Sequence, residues 1–208
     1  MSKRTSHFVC QSCGASFSKW GGRCESCDAW NSLIEEAVAV APPKSLGKSP
    51  AKSGAINFVD LAGSDAPLPR RMTGISELDR VVGGGFVPGS VILIGGDPGI
   101  GKSTLTLQTV CQLAHKERCA YISGEEGVDQ IRMRARRLGV TQAACDLASA
   151  SAVRDILAAV DRDDAPAFLV IDSIQTMYVD NIDSAPGTVA QVRASAHELI
   201  RVAKKRNI

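Results

Sequence analysis

The chain has 208 residues, 44% of them hydrophobic and 22% charged, with a formal net charge of +2. This describes a globular chain of one ordinary domain plus a small module, and it excludes a disordered or fibrous polymer. So even a balance excludes a whole-chain basic footprint, and no apolar run is long enough to span a membrane. Met1-Ser2-Lys3-Arg4-Thr5-Ser6 leads into no apolar secretory core, so cytoplasm is the expected location.

Residues 1–35 read as a metal knot. Cys10-Gln11-Ser12-Cys13-Gly14 and Cys24-Glu25-Ser26-Cys27-Asp28 are two C-x₂-C knuckles, each able to turn two thiolates toward one ion. Together they make a tetrahedral S₄ site, suited first to Zn²⁺ and second to Fe. So short a segment cannot bury a sufficient core, so the metal supplies folding energy. A four-cysteine site has no open position and is not catalytic. Lys3, Arg4, His7, Lys19 and Arg23 stand among Phe8, Phe17, Trp20 and Trp30. Cations interleaved with aromatics suit single-stranded nucleic acid, but the same aromatics could be the module's core. A nucleic-acid and a protein partner both stay open. Cys111, Cys119 and Cys145 are scattered, and the odd total of seven cysteines disfavours a disulfide framework. They read as reduced core residues.

Residues 36–55 are rich in Ala, Pro, Ser and Lys and read as a flexible tether. An α/β domain is expected over 56–208. Thr73-Gly74-Ile75-Ser76-Glu77-Leu78-Asp79-Arg80-Val81-Val82 predicts a short helix with Ser76 as a possible cap, before a glycine turn. A strand over 90–94, with Val91-Ile92-Leu93-Ile94, then leads into Gly95-Gly96-Asp97-Pro98-Gly99-Ile100-Gly101-Lys102-Ser103-Thr104. This contains G-x-x-x-x-G-K-[ST], and a helix is expected over 103–114. Glycines let the backbone curl its N–H groups inward around a polyphosphate, and the helix start adds unpaired donors. Lys102 would reach the β- and γ-phosphates, and Ser103 would offer its hydroxyl to Mg²⁺.

Cys119-Ala120-Tyr121-Ile122-Ser123 predicts the next strand, followed by Gly124-Glu125-Glu126-Gly127. A helix over 128–138 carries Arg132, Arg134, Arg136 and Arg137, read as a solvated face. A short strand near Leu147 and a helix over 153–160 come next. Phe168-Leu169-Val170-Ile171-Asp172-Ser173 predicts a buried parallel strand that delivers Asp172 to its C-terminal edge. Ligands bind at that edge, so Asp172 is the candidate Mg²⁺ partner. Glu125 and Glu126 share the edge and are candidates to orient a water. Adjacent carboxylates repel, so one of them should be protonated or paired elsewhere. A long helix is expected over 188–206, its Lys204-Lys205-Arg206 end solvated.

The combined pieces resemble one family, the bacterial RadA/Sms DNA-repair ATPases, relatives of RecA. The resemblance rests on the four-cysteine module with Trp30-Asn31, the segment 73–85, the phosphate loop, Tyr121-Ile122-Ser123-Gly124-Glu125-Glu126, and Leu169-Val170-Ile171-Asp172-Ser173-Ile174-Gln175-Thr176. It implies a RecA-like core of mainly parallel sheet flanked by helices. It also implies ATP, Mg²⁺ and Zn²⁺ as cofactors and a ring-forming homo-oligomer with recombinase or helicase proteins as partners. The work it implies is of helicase or branch-migration type, on single-stranded or branched DNA. It makes Glu125 the water-activating base with Glu126 beside it. Glu25 stands where the family usually has proline. Family members continue past this chain's last residue with further strands, a Lys-Asn-Arg-Phe-Gly segment and a Lon-protease-like domain. The chain therefore reads as the N-terminal portion, with an incomplete sheet. In RecA relatives a mobile loop after the Mg²⁺ strand approaches DNA. Here that loop, 177–187, has Asp180 and Asp183 and no Lys or Arg. Backbone amides, Arg193 or the zinc module would have to serve in their place.

Overall fold

The computed structural model describes residues 6–37, 60–61 and 69–208. The N-terminal module is an antiparallel sheet in the order β2-β1-β3, built from β1 (Ser6–Cys10), β2 (Ser16–Phe17) and β3 (Leu33–Ala37). Its register sets Phe8 opposite Phe17 and Cys10 opposite Leu33. Cys10, Cys24 and Leu33 are buried together, and Phe8 and Phe17 pack on them. The two phenylalanines are thus core, whereas Trp20 and Trp30 are 63% and 72% exposed. β3 takes in residues 36 and 37. The remainder of the expected tether, and Lys3 and Arg4, lie outside the described residues.

The main domain has a three-stranded parallel sheet in the order β5-β4-β6, from β4 (Cys119–Ser123), β5 (Cys145–Ser149) and β6 (Phe168–Asp172). The register sets Ser123 opposite both Ser149 and Asp172, which brings the C-terminal strand ends level. Side chains alternate across the sheet. Cys119, Tyr121 and Val170 face one core with α2 (Lys102–Leu113) and α3 (Val128–Leu138). Ile122, Leu169 and Ile171 face a second core, with α4 (Val153–Val160) and α5 (Val189–Arg206). Helices on both faces cover a parallel sheet whose strands β4 and β6 are apolar up to their C-terminal residues, whereas edge strand β5 carries exposed Asp146. Cys111 and Cys119 are buried, and all three scattered cysteines are free thiols.

Three expectations are corrected here. The run Val91-Ile92-Leu93-Ile94 does not form a paired strand, and Val91, Ile92 and Leu93 are exposed. Apolar composition expresses a need for burial, but a strand exists only where a neighbouring edge takes its hydrogen bonds. Among the described residues the sheet ends at β6. Ser76 is not the cap of α1 (Ser76–Val81), because the N-cap position falls on Ile75, whose side chain makes no capping hydrogen bond. Instead, buried Asp79 reaches back to accept from the Thr73 N–H, the Thr73 hydroxyl and the Gly74 N–H, each at 2.9 Å. Burial alone would raise the Asp79 pKa, and these donors outweigh it and hold it below its usual value. The end of α5 is not simply solvated either. Lys205 and Arg206 close on Asp161, just past α4, at 2.9 and 2.6 Å. At its other end Thr188 caps α5, accepting from the Gln191 N–H.

Candidate nucleotide and metal sites

The phosphate loop bends at three glycines with positive φ: Gly96, Gly99 and Gly101, at 155°, 83° and 98°. At Gly96 a Cβ would stand 2.4 Å from Ile100 Cδ1, so only glycine fits without displacing that side chain. Asp97, Pro98, Gly99 and Ile100 form the exposed outer rim. Gly101 is the N-cap of α2 and, having no side chain, leaves the helix-start N–H groups uncapped. No acidic residue stands in the first turn of α2, which includes Lys102, Ser103 and half-buried Thr104. The Lys102 ammonium donates to the Gly96 and Asp97 carbonyls, both at 2.8 Å, so the loop is drawn around its own cation.

Opposite this helix start lies the end of β6. The Ser103 hydroxyl donates to Asp172 Oδ1 at 3.2 Å across 69 positions of sequence. The other carboxylate oxygen, Oδ2, accepts from the Tyr121 hydroxyl. Burial, and then the carboxylate itself, pushes the Tyr121 pKa up. A hydroxyl and a carboxylate converging beside a phosphate loop are hard oxygen donors, the set that suits Mg²⁺.

The turn after β4 is held by its own strand. The Ser123 hydroxyl accepts from the N–H groups of Glu125 and Glu126 at 3.2 and 2.9 Å. Gly124 donates to the Asp172 carbonyl at 3.0 Å. A Cβ on Gly124 would stand 2.1 Å from Thr176 Oγ1, so glycine is required for that close approach. Glu125 points outward and accepts from the Ser173 hydroxyl. Glu126 turns the other way and pairs with Arg134. The geometry therefore separates two acids that are adjacent in sequence.

Arg134 departs from the solvated face expected of the α3 arginines, since its side chain is only 15% exposed. Removing one member of a largely buried pair leaves the other charge stranded. Arg134→Ala is expected to destabilise the domain by about 2–3 kcal/mol in urea unfolding. Arg132→Ala, whose pair with Asp129 is exposed, should cost under about 1 kcal/mol. Equal losses would contradict an anchoring role for the Arg134 pair.

In the small module the four Sγ atoms lie within 4.8 Å of one another. Cys10 and Cys27 approach to 3.7 Å, Cys13 and Cys24 to 3.6 Å. A tetrahedron with bonds of about 2.3 Å has edges of about 3.8 Å, so the set fits Zn²⁺. The two knuckles repeat one hydrogen-bond pattern. Gly14 donates to the Cys10 carbonyl and Asp28 to the Cys24 carbonyl, at 2.8 and 2.9 Å. Both turn residues have positive φ. The Ser32 hydroxyl, first among several hydrogen bonds, brings the Cys10 thiol down to about 6. At Cys27 the Ala29 backbone group pulls the thiol down, but hydrogen bonds to the sulfur neighbours and burial together outweigh it and push the value up to about 12. A bound cation favours the thiolate form of all four ligands, so metal binding here would release protons.

Other expected contacts fall differently. The loop 177–187 is pinned to α5. The fully buried Gln191 side chain accepts from the Val179 N–H at 2.9 Å and donates to the carbonyls of Val179, Ile182 and Ser184. Asp180 is paired with Arg154, and Arg193 is exposed. Tyr121, Ser123 and Ser173 lie inside the segments that carry the family resemblance but had no role read for them, and Arg134 and Gln191 lie in no motif at all. The only hint was polar side chains inside otherwise apolar or helical runs.

Comparison with known proteins adds the lineage. Residues 71–158 match the ATPase family model described as KaiC, and residues 8–35 match a rubredoxin metal binding domain. The main domain is thus a RecA-type ATPase domain with a small sheet, preceded by a four-cysteine zinc-binding module. A protein named DNA repair protein RadA from Brucella abortus is 50% identical over 99% of this chain and 45% of its own length. Its namesakes from Pseudomonas aeruginosa and Escherichia coli are 47% and 43% identical, over 99% and 97% of this chain and 45% of each relative. The chain therefore spans about half the length of the curated relatives it matches. Among the described residues no helix is long and apolar enough to cross a membrane. Similarity at this level, extending through both the cysteine module and the phosphate-loop domain, places the chain in the RadA family.

Proposed function

We propose that this chain supplies the ATP-hydrolysing part of a protein that works in recombinational DNA repair. It would act on single-stranded or branched DNA as a motor of branch-migration type, within a ring of like subunits. The observation that carries the reading is the approach of Ser103 to Asp172 beside the phosphate loop, with Glu125 on the same sheet edge. In this reading residues 96–104 cradle the triphosphate with backbone N–H groups. Lys102 leaves the Gly96 and Asp97 carbonyls to meet the β- and γ-phosphates. Ser103 and Asp172 hold Mg²⁺, which when bound neutralises charge on the transferred group. Glu125, steadied by Ser173, orients the attacking water. Glu126, engaged by Arg134, anchors the turn rather than meeting the water. The four cysteines hold Zn²⁺ as a folding element.

The reading predicts ATP turnover stimulated several-fold by single-stranded DNA at low salt in the full-length protein. Turnover that ignores DNA, together with no DNA binding at low salt, would overturn the motor assignment.

A second reading is favoured by Trp20 and Trp30. Both rings come within 4.0 Å of where a Gly22 Cβ would stand, and Arg23 lies 5.8 Å from the centre of the Trp30 ring. An exposed aromatic pair of this kind serves a protein partner as well as a base. Here the chain would be a nucleotide-gated protein-binding module with slow turnover. A defined protein complex that survives nuclease and is lost in Trp20→Ala/Trp30→Ala would support it. Quenching of the two tryptophans by an oligothymidylate would favour the DNA reading.

A further inference from the structure

Tyr121 is completely buried, and its ring belongs to the core between the sheet and α2. A buried tyrosine needs a partner for its hydroxyl. The partner here is not a backbone group but the Asp172 carboxylate on the neighbouring strand. Asp172 has the same parity as Val170, which lies opposite Tyr121, so the acid and the tyrosine stand on one sheet face. The same face receives Ser103 from the start of α2. Two hydroxyls on two elements thus take the two oxygens of one carboxylate.

The two contacts differ in permanence. Ser103 sits at the end of an exposed glycine loop and can turn its hydroxyl to a ligand. Tyr121 is fixed by packing on all sides and cannot leave. The terminal torsion of an aspartate is broad, so a carboxylate with no fixed donor swings freely. A donor fixed on Oδ2 stops that swing and keeps Oδ1 turned toward Ser103.

We propose that Tyr121 is a positioning residue for Asp172, holding one carboxylate oxygen so that the other is presented, with Ser103, to the divalent cation that accompanies ATP. The proposal rests on the ATP-site reading given above. It adds a residue that does not touch the nucleotide and that the phosphate-loop motif does not contain.

The test is a Mg²⁺ titration of fluorescent ATP-analogue binding to the 208-residue chain, compared with binding in EDTA. Tyr121→Phe keeps the ring and removes only the hydroxyl. It should raise the Mg²⁺ concentration for half-maximal effect about tenfold, the usual result of losing one hydrogen bond to a charged acceptor. Binding in EDTA should stay within about twofold, since no phosphate contact is touched. In an Asp172→Asn background the same substitution should have no further effect on the Mg²⁺ dependence. This cycle also covers a loss of folding stability, which would act equally in both backgrounds. An unchanged Mg²⁺ dependence in Tyr121→Phe, alongside a weakened one in Asp172→Asn, overturns the role of Tyr121 and leaves the site reading standing. An equal effect in both backgrounds, or equal weakening with and without Mg²⁺, also overturns it. A wild-type chain with no Mg²⁺-dependent binding overturns the site reading and this proposal together.

Discussion

Lys102→Ala is expected to lower ATP turnover by about 10²–10³-fold, the loss typical of removing one preorganised group from developing charge. Two effects combine. The ammonium that would meet the β- and γ-phosphates disappears. So do the two 2.8 Å bonds by which it draws the Gly96 and Asp97 carbonyls inward, so the loop loses its internal brace. The core does not depend on this side chain, because the buried face of α2 is made by Leu107, Val110, Cys111 and Leu113. The melting midpoint should therefore move by no more than about 2 °C while activity collapses. Turnover within about threefold of wild type in the full-length protein would remove Lys102 from the phosphate site.

The second large effect concerns the metal. A strong chelator should unfold the first module while the main domain keeps its transition. Among the described residues the buried side chains there are Val9, Cys10, Cys24, Ser32 and Leu33, with three partly buried apolar neighbours, far too little to offset chain entropy. Structural zinc supplies on the order of 10–16 kcal/mol in comparable modules, so its removal is decisive. Trp20 and Trp30 are the chain's only tryptophans, and both stand on this module. Tryptophan emission alone therefore follows its unfolding, and far-UV circular dichroism follows the helices of the main domain. Acid should mimic the chelator, because protons compete with the metal for thiolates. An N-terminal module whose emission is unchanged by chelation would show that the sulfurs fold without an ion.

Much of the architecture was legible because it is written locally. The strand 119–123 and the helices 128–138 and 153–160 have the bounds their apolar patterns predict. The two knuckles were legible because C-x₂-C spacing leaves thiolates few other arrangements. What could not be read was contact between distant positions. Tyr121 meets Asp172 across 51 residues, and Ser173 meets Glu125 across 48. No periodicity encodes such a meeting, and a tyrosine in an apolar strand looks like any other core residue. The stretch 90–94 failed for a related reason, since composition states a wish for burial and only a neighbour can grant it. Arg134 shares a helix with three exposed arginines, and only the fold distinguishes it. Phe8, Phe17, Trp20 and Trp30 were one ambiguous set in the sequence, and packing divided them into an interior pair and an outward pair.

The close seat of Gly124 on Thr176, with its bond to the Asp172 carbonyl, has a mechanical corollary. The turn bearing Glu125 and the strand end bearing Asp172 are joined directly at Gly124, so the spacing of the two acids along the sheet edge is set by that one contact. On the ATP-site reading proposed above, a displacement of the polypeptide just past Thr176 would therefore move both acids together rather than one alone.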